Sequence, residues 1–391
     1  MRPLPLLIAG GGIGGLAAAL AIARTGRHAA VLEKAARFGE IGAGLQLAPN
    51  ASHALARLGV LDAIAPYAVY PRRLLWRDAR TGNRVTALDL GETFRARYGH
   101  PYVVMHRGDL LDVLLDACRA DSRIVLEPAR EVIAVEQDAH GARAVCADGT
   151  IFHGSAVIAA DGLWSRLRKL VHDDGDPVPA RYVAYRGTLP VEELWDGAGL
   201  EDVVLWTAPG LHFVQYPIRG GKLFNQVAVF RSARFRPDSD DWGTPDELDA
   251  AFAVACEPVQ AGIARIRRDR RWTMYDREPI ADWSRGRLAL LGDAAHPMLQ
   301  YLAQGACQAL EDAVVVADAL AAHDDPAAAF LAYRDRRYLR TARVQYTARA
   351  FGEIWHVGDV GATLRDTMLA ARPDDDFSHA EWLYGWRPAP F

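Results

Sequence analysis

Three short, mostly apolar runs recur along the chain, and each is followed by a turn that contains glycine. They cover residues 4–9, 156–160 and 287–291. Unbroken apolar runs of about four to eight residues are typical of parallel strands that are buried on both faces. The pattern predicts an α/β fold whose parallel sheet collects strands from distant parts of the chain.

Between residues 182 and 231 the pattern changes to short runs separated by glycine and proline turns, which predict β-strands. One pair of runs predicts a hairpin that turns at Gly220 and Gly221. A β block inserted between parts of an α/β domain predicts an antiparallel sheet that forms one wall of a pocket.

One strand of this block carries polar side chains in an unusual alternation. Because alternate residues share a face, we expect His212, Val214 and Tyr216 on one side of the strand and Phe213 and Gln215 on the other. The His-Tyr face is compatible with a ligand pocket. It is also compatible with a hydrogen-bonded aromatic pair in a packed sheet, and the residues alone leave both interpretations open.

Composition and charge narrow the class of protein. The 391 residues, half of them hydrophobic, suit two intimately joined domains or one large domain. A net charge of −4 provides no basic field for nucleic acid or anionic lipid, and no membrane span is expected. Four scattered cysteines without a C-x-x-C pair argue against a zinc site or disulfide framework and fit the cytoplasm, and no metal is expected.

The first turn has the spacing of a dinucleotide-binding loop. Gly10, Gly12 and Gly15 stand in G-x-G-x-x-G order before an alanine-rich helix, and Glu33 lies near the end of the next strand, 18 residues beyond Gly15. Such glycines allow a tight turn and close approach to a pyrophosphate, while the acid reaches a ribose hydroxyl. A plain glycine-rich turn and a secretory signal peptide over residues 6–23 are the alternatives, and the loop alone does not distinguish FAD from NAD.

The two later turns carry acids at the ends of predicted strands. Asp161 precedes Gly162 in a segment that also suits an ordinary β-turn, and we expect a helix over residues 164–168. Asp293 ends the last strand, where a carboxylate points into the ligand crevice of a parallel sheet. Gly305 then opens a helix whose amides can face a carbonyl or an anion.

Together the three motifs, in this order and across nearly the whole chain, resemble the fingerprints of the single-component FAD-dependent aromatic hydroxylases. The resemblance implies an α/β fold with a Rossmann-like FAD-binding domain of the p-hydroxybenzoate hydroxylase type, an inserted antiparallel substrate sheet and C-terminal helices. It implies a discontinuous FAD-binding domain (1–70, 101–177 and 277–345), a substrate-binding domain (71–100 and 178–276) and a C-terminal segment (346–391).

The same resemblance implies which residues bind FAD. The Asp161 segment would serve FAD and the nicotinamide donor, Asp293 would meet the ribityl chain and pyrophosphate, and the helix opened by Gly305 would point at the isoalloxazine. Pro297 would stiffen the loop beside the ring. The expected set comprises Gly10, Gly12, Ile13, Gly14, Gly15, Glu33, Lys34, Gln46, Arg107, Asp161, Gly292, Asp293, Pro297, Gly305 and Ala306.

Four segments, AYRGT, HFVQYP, MYDREPI and HPMLQYLAQGA, resemble one branch in particular, the 3-hydroxybenzoate 6-hydroxylases. In that branch the positions of His212, Tyr216 and Gln300 line the aromatic pocket. Many salicylate hydroxylases carry a shorter loop after the Gly-Asp motif. Three residues of this region depart from the branch: Met298, Gln304 and Cys307.

The branch implies hydroxylation of 3-hydroxybenzoate to 2,5-dihydroxybenzoate (gentisate) with FAD, O2 and NADH, NADPH being possible. His212 would accept the phenolic proton, since a positioned imidazole is a suitable base near neutral pH, while Tyr216 and Gln300 would hold the ring. The alternatives are a salicylate hydroxylase, a hydroxylase of another phenolic compound and, in a different class, a flavin-binding redox sensor without turnover. We expect a monomer or homodimer.

Residues 331–350 predict a long basic helix. Nucleic-acid binding is not expected, because no groove-binding motif accompanies the helix and the chain is slightly acidic. We expect a solvated basic face. Asp335 has Tyr338 and Leu339 at i+3 and i+4, so counter-charges for the arginines must come from elsewhere in the fold or from solvent.

Overall fold

The strands expected from the three apolar runs lie side by side in one sheet. The computed structural model describes residues 4–39, 42–195, 197–236, 239 and 241–389. Its strands are β1 (Leu6–Ala9), β2 (Ala29–Leu32), β3 (Gly44–Leu47), β4 (Arg73–Asp78), β5 (Arg84–Asp89), β6 (Val103–His106), β7 (Ile124–Glu127), β8 (Val132–Gln137), β9 (Ala142–Cys146), β10 (Ile151–Gly154), β11 (Ala156–Ala159), β12 (Val178–Pro190), β13 (Val203–Ala208), β14 (Leu211–Ile218), β15 (Leu223–Arg231), β16 (Arg271–Asp276), β17 (Ser284–Arg285) and β18 (Leu288–Leu290). Its helices are α1 (Ile13–Arg24), α2 (Pro49–Arg57), α3 (Leu61–Ile64), α4 (Glu92–Tyr98), α5 (Arg107–Ala120), α6 (Arg168–Val171), α7 (Pro245–Phe252), α8 (Glu257–Ile263), α9 (Gly305–Ala322), α10 (Pro326–His356), α11 (Asp359–Ala370) and α12 (Glu381–Tyr384), with 3-10 turns at Val191–Glu193, Gly292–Ala294 and Gln300–Leu302.

The six-stranded sheet has the order β17-β18-β11-β1-β2-β7. All neighbouring strands are parallel except the edge pair β17 and β18. Ala9, Ala159 and Leu290 are in register at the ends of three adjacent strands. The three turns that follow these residues therefore meet at one edge, the edge at which parallel α/β sheets bind ligands.

Two helices that follow glycine turns pack against each other beside this sheet. The buried alanines of α1, among them Ala17 and Ala18, and the apolar side chains of α9 belong to one continuous core with β1, β2, β11 and β18. Small side chains allow close approach of the helices, so both helix N-termini lie near the same edge of the sheet. A three-stranded antiparallel sheet (β8 to β10) and the pair β3–β6 complete this part of the molecule.

The inserted sheet has seven strands in the order β16-β12-β15-β14-β13-β4-β5. Its neighbours are antiparallel except β13 and β4, and the hairpin of β14 and β15 turns at Gly220 and Gly221. On its back face Phe213 packs among residues of α7 and α8. The domain limits remain a proposal, which the membership of β4, β5 and β12 to β16 in this sheet supports, although α10 continues past the proposed limit at residue 345.

Two local expectations are wrong. Residues 164–167 form turns, and the helix begins only at Arg168. The basic face of α10 is not simply solvated, because Arg337 is fully buried and forms ion pairs with Glu311 and Asp312 of α9. These counter-charges do come from elsewhere in the fold. Within the described ranges, no helix has the length and apolar character needed to cross a membrane.

Candidate active site

A cavity of about 380 Å³ opens where the three glycine turns meet. Twelve of the fifteen residues expected at FAD line it: Gly10, Gly12, Ile13, Gly14, Glu33, Lys34, Arg107, Asp161, Gly292, Asp293, Gly305 and Ala306. Gly15, Gln46 and Pro297 lie outside this lining. The sheet topology thus gathers the three motifs, which are far apart in the sequence, around one cavity.

The glycines of the first turn have distinct roles. Gly10 has a φ of +116°, and a side chain there would collide with the carbonyl of Ala160. A side chain at Gly15 would collide with the carbonyl of Gly10, so Gly15 allows the helix to approach the turn. A Cβ at Gly12 would meet no protein atom within 4 Å. The backbone at Gly12 therefore borders open space, as close approach of a pyrophosphate requires, and the residues fit a dinucleotide.

The carboxylate of Glu33 is held at the rim of the cavity. It accepts hydrogen bonds from the backbone N–H groups of Gly11 (2.6 Å) and Ala35 (2.8 Å). Each carboxylate oxygen has a further lone pair. The two bonds fix the side chain in position and leave acceptor capacity for a ribose hydroxyl.

The turn at Asp161 is tied to the last motif by a buried arginine. Asp161 accepts hydrogen bonds from the Ser165 hydroxyl (2.6 Å) and the Leu167 amide (3.3 Å), and burial raises its pKa. Arg168 donates to the carbonyls of Ala294 (3.0 Å) and Ala295 (2.7 Å). The second and third motifs are therefore one connected unit, and the Asp161 carboxylate is partly occupied in shaping its own turn.

The third motif presents its acid to the cavity. Gly292 has a φ of +62°, and its N–H donates to the buried carboxylate of Asp312 (3.0 Å). Asp293 is exposed and lines the cavity, as does Gly305 at the first residue of α9. The exposed Asp293 carboxylate can therefore accept a hydrogen bond from a cofactor hydroxyl, and the first turn of α9 offers backbone amides that have no partner within the helix.

Pro297 and Gln46 lie between the cofactor cavity and the inserted sheet. The buried Pro297 accepts a hydrogen bond from the Gln345 side chain of α10 (2.9 Å), which fixes the start of the loop. Gln46 of β3 accepts a hydrogen bond from Tyr102 (2.7 Å) and interacts with Tyr216. These residues connect the two sites instead of lining the main cavity.

The front face of the inserted sheet carries the second group of expected site residues, and Tyr216 is the one that packs against β3. Gly44 of β3 lies directly against the Tyr216 ring and donates its N–H to Asn225 (2.7 Å). Burial raises the pKa of Tyr216, so its hydroxyl stays protonated and can donate a hydrogen bond. Any larger residue at position 44 would displace this ring.

Gln300 lies in the loop between Pro297 and Gly305, and its side chain contacts the same face of the sheet. Its Oε1 accepts a hydrogen bond from Nη2 of Arg186 on β12 (2.6 Å). Arg186 interacts electrostatically with both Tyr216 and His212. The loop that runs from Pro297 to Gly305 therefore has Gln300 at the sheet and Gly305 at the cofactor cavity.

His212 lies further along the same strand face, in a fully buried aromatic cluster. Its Nδ1 is hydrogen-bonded to Nε2 of His356 (2.8 Å), and the rings of Tyr301 and Trp355 pack around it. Burial, followed by the neighbouring His356 and Arg186, holds its pKa well below the ordinary value. The imidazole is therefore neutral at neutral pH, and its Nε2 has no hydrogen-bond partner among the described residues.

The three departures from the branch pattern have different surroundings. Gln304 accepts hydrogen bonds from Asn50 and Gln308, and Cys307 is buried under the Gln46 carbonyl. Both are part of the packed frame. Met298 packs in the cluster that contains Tyr216, so it is the departure with a direct contact to the pocket wall.

Several site residues were not identified from the sequence. Arg130, Glu131 and Val132 line the cofactor cavity although no motif marks them. Arg186 belongs to the AYRGT segment. A charged residue within this predicted strand could have been recognised as a candidate site residue. His356 comes from the far end of α10, and no local pattern connects it with His212.

Comparison with known proteins places this geometry in context. A family model described as FAD binding domain matches residues 4–347. The 3-hydroxybenzoate 6-hydroxylase 1 of Aquipseudomonas alcaligenes is 40% identical over 382 residues, which are 97% of each chain. The 3-amino-4-hydroxybenzoate 2-monooxygenase PtnB3 of Streptomyces platensis is 35% identical and covers 98% of this chain and 96% of its own.

A solved structure of Klebsiella pneumoniae HpxO with FAD and uric acid superposes with a TM-score of 0.86 at 28% identity. The match covers 98% of this chain and 97% of that chain. It confirms the predicted fold class. Since the family model spans most of the residues and the relatives span nearly all of them, the chain belongs to the FAD binding domain family and is an FAD-dependent monooxygenase.

Proposed function

We propose that this protein hydroxylates a phenolic carboxylic acid with O2 and NADH or NADPH, and that its substrate is 3-hydroxybenzoate, converted to 2,5-dihydroxybenzoate (gentisate). The observation that carries the proposal is the group of polar side chains at the front face of the sheet: His212 and Tyr216 on β14 and Gln300 from the loop, beside apolar side chains of the same face. The names of two relatives, both hydroxybenzoate hydroxylases, support the substrate class.

The chemistry follows from the protonation states of these residues. A phenol has a pKa of about 10 and is a poor nucleophile until its proton leaves. The neutral His212 accepts that proton at Nε2, while Nδ1 stays bonded to His356; its lowered pKa makes it a weaker base than a free imidazole. The protonated Tyr216 donates to a polar substituent, and Gln300 fixes the other side of the ring.

Loss of the proton raises electron density at the carbons ortho and para to the oxygen, and the pocket orients the para carbon toward the cofactor cavity. When bound, reduced FAD supplies activated oxygen. Gly12, Glu33, Asp293 and the start of α9 would hold the cofactor. The reduced nicotinamide approaches from solvent, and either NADH or NADPH is compatible with the proposal.

Replacement of His212 tests the proposed base. His212→Ala should slow ring hydroxylation by about 100- to 10,000-fold, the usual range for a general base. Substrate should still stimulate nicotinamide oxidation, because hydride transfer does not require an activated ring carbon. The variant should therefore release hydrogen peroxide in place of product. The measurement is peroxide and product formed per nicotinamide consumed, with the exposed His140→Ala as control.

Fully coupled hydroxylation by His212→Ala at near wild-type rate would reject His212 as the base. The substrate assignment has its own test, a panel of hydroxybenzoates, salicylate and uncharged phenols with product identification. Efficient turnover of salicylate but not of 3-hydroxybenzoate would replace the proposed substrate and leave the hydroxylase function in place.

A further inference from the structure

Arg186 is a positively charged residue on the pocket face, near the middle of β12. Its backbone neighbour across the sheet is Val227, and its guanidinium lies 5.9 Å from the ring centre of Trp272. It donates one hydrogen bond, from Nη2 to Gln300, and its buried Nε has no partner among the described residues. An arginine carries five donor hydrogens, so this guanidinium has donor capacity left for a ligand.

The charge of Arg186 is also unmatched within the described ranges. The buried arginines elsewhere pair with acids: Arg168 and Arg277 with Asp174, and Arg337 with Glu311 and Asp312. Arg186 forms no ion pair there, and the charged neighbour that acts on it is another arginine, Arg107. A partly buried cation with one neutral partner is costly in free energy unless an anion joins it.

We propose that Arg186 binds the carboxylate of the substrate, and that it makes the enzyme selective for phenolic carboxylic acids over uncharged phenols. This inference rests on the proposed function and names the group that recognises the acid. Gln300 fixes the guanidinium by accepting its Nη2 hydrogen, which leaves Nε free to donate to a carboxylate oxygen. Gln300 is then a positioning residue for Arg186 as well as a pocket wall.

The carboxylate is the better partner for this guanidinium than the phenolic oxygen. A carboxylic acid is ionised in solution at neutral pH, so it enters the pocket as an anion that needs a cation at once. Its two oxygens match the fork of donors on a guanidinium. The phenolic oxygen has its own partner in the unpaired Nε2 of His212. Through Val227 of β15, Arg186 is in register with Val214, which lies between His212 and Tyr216 on β14, so one bound ring can reach both Arg186 and His212.

A pair of ligands of nearly equal shape but different charge tests the proposal. Dissociation constants of 3-hydroxybenzoate and 3-hydroxybenzamide are measured on the FAD-loaded enzyme, without nicotinamide, by calorimetry and by the change in flavin absorbance. The wild type should prefer the acid at least about 30-fold, as expected for a buried charge pair. Arg186→Met should reduce that preference to near one, mainly by weakening the acid. Arg186→Lys should restore only part of it, because a point charge lacks the fork.

Arg270→Met is the matched control. Arg270 is exposed and lies 5.3 Å from the same Trp272 ring, so its removal deletes an equal charge nearby without touching the pocket. The acid preference should be unchanged in this variant. FAD content and melting temperature of each variant show whether the fold is intact, and Arg186→Lys keeps the test valid if Arg186→Met unfolds.

Equal affinity of the wild type for acid and amide would overturn the proposal. An equal loss of affinity for both ligands in Arg186→Met and Arg186→Lys would also overturn it, since that pattern indicates that Arg186 binds the phenolate or has a structural role. Because binding is measured without turnover, the result is separate from the proposed function. An enzyme that hydroxylates no hydroxybenzoate but keeps an Arg186-dependent acid preference would reject only the function.

Discussion

At the scale of single residues, the contact between His212 and His356 sets the charge at one end of the pocket. The hydrogen bond between their ring nitrogens needs one N–H donor and one bare acceptor nitrogen. Burial lowers the pKa of both imidazoles. The pKa of His356 falls to about 4, and the neighbouring charge of Arg365 also lowers it. The pair is therefore neutral in the folded protein near neutral pH.

This pair predicts a defined pH dependence of stability. The folded pKa of His356 is about 4, against an ordinary value of 6.5. Between these pH values the unfolded protein therefore binds more protons than the folded protein. The contribution of the neutral His356 to the free energy of unfolding is complete above pH 6.5 and is lost as the pH falls toward 4. We expect His356→Gln to reduce the slope of melting temperature against pH in this window. Parallel curves for variant and wild type would contradict the assignment.

Some of these residues could be found in the sequence and others could not. The alternation along β14 predicts the shared face of His212 and Tyr216, because strand periodicity is local. His356 lies 144 residues from His212, and Gln300 lies 114 residues from Arg186. Contacts of this kind depend on how α10 and the loop before α9 pack on the sheet, and no local pattern encodes that packing.

At the scale of elements, α9 and α10 are joined by buried charges beneath the cofactor cavity. Arg337 of α10 pairs with Glu311 and Asp312 of α9, and Asp312 also accepts from the Gly292 amide and contacts His296 (2.5 Å). The last glycine turn thus depends on a charge from α10. This arrangement explains why α10 is basic along a face that is partly buried.

Removal of that charge should destabilise the fold strongly. Among the described residues, Arg337→Met leaves the buried Asp312 with only His296 and the buried Glu311 with only Arg340 as ion-pair partners, and should cost about 3–5 kcal/mol of unfolding free energy. Arg334→Met on the same helix removes a surface ion pair with Asp335 and should cost at most about 1 kcal/mol. Chemical denaturation of both FAD-loaded variants measures the difference. Equal small losses would show that the buried network does not hold α9 to α10.

Elements with a strong periodic signal were predicted well, and those set by packing were not. The short runs expected between residues 182 and 231 correspond to β12 to β15, and the three apolar runs to β1, β11 and β18. The prediction of a helix over residues 164–168 is wrong, because the Asp161 carboxylate accepts hydrogen bonds from the Ser165 hydroxyl and the Leu167 amide and holds this segment in a turn. Such side-chain capture of the backbone competes with helix formation.

At the scale of the whole molecule, two sheets provide two different surfaces. The parallel sheet ends in glycine turns that fit a dinucleotide, and the antiparallel sheet offers a flat apolar face with a few polar groups. The loop after Gly292 connects them, with Gln300 at one surface and Gly305 at the other. The sequence motifs were sufficient to predict this division, whereas the choice of substrate depends on the side chains that face each other across the pocket.

The most direct test of the account is the product formed from 3-hydroxybenzoate under ¹⁸O2. The FAD-loaded enzyme is given reduced nicotinamide and limiting substrate, and the product is identified by chromatography and mass spectrometry. We expect 2,5-dihydroxybenzoate with one ¹⁸O atom, formed in a ratio of about one per nicotinamide oxidised. Nicotinamide oxidation that yields only hydrogen peroxide, or a hydroxyl group at another ring carbon, would contradict it.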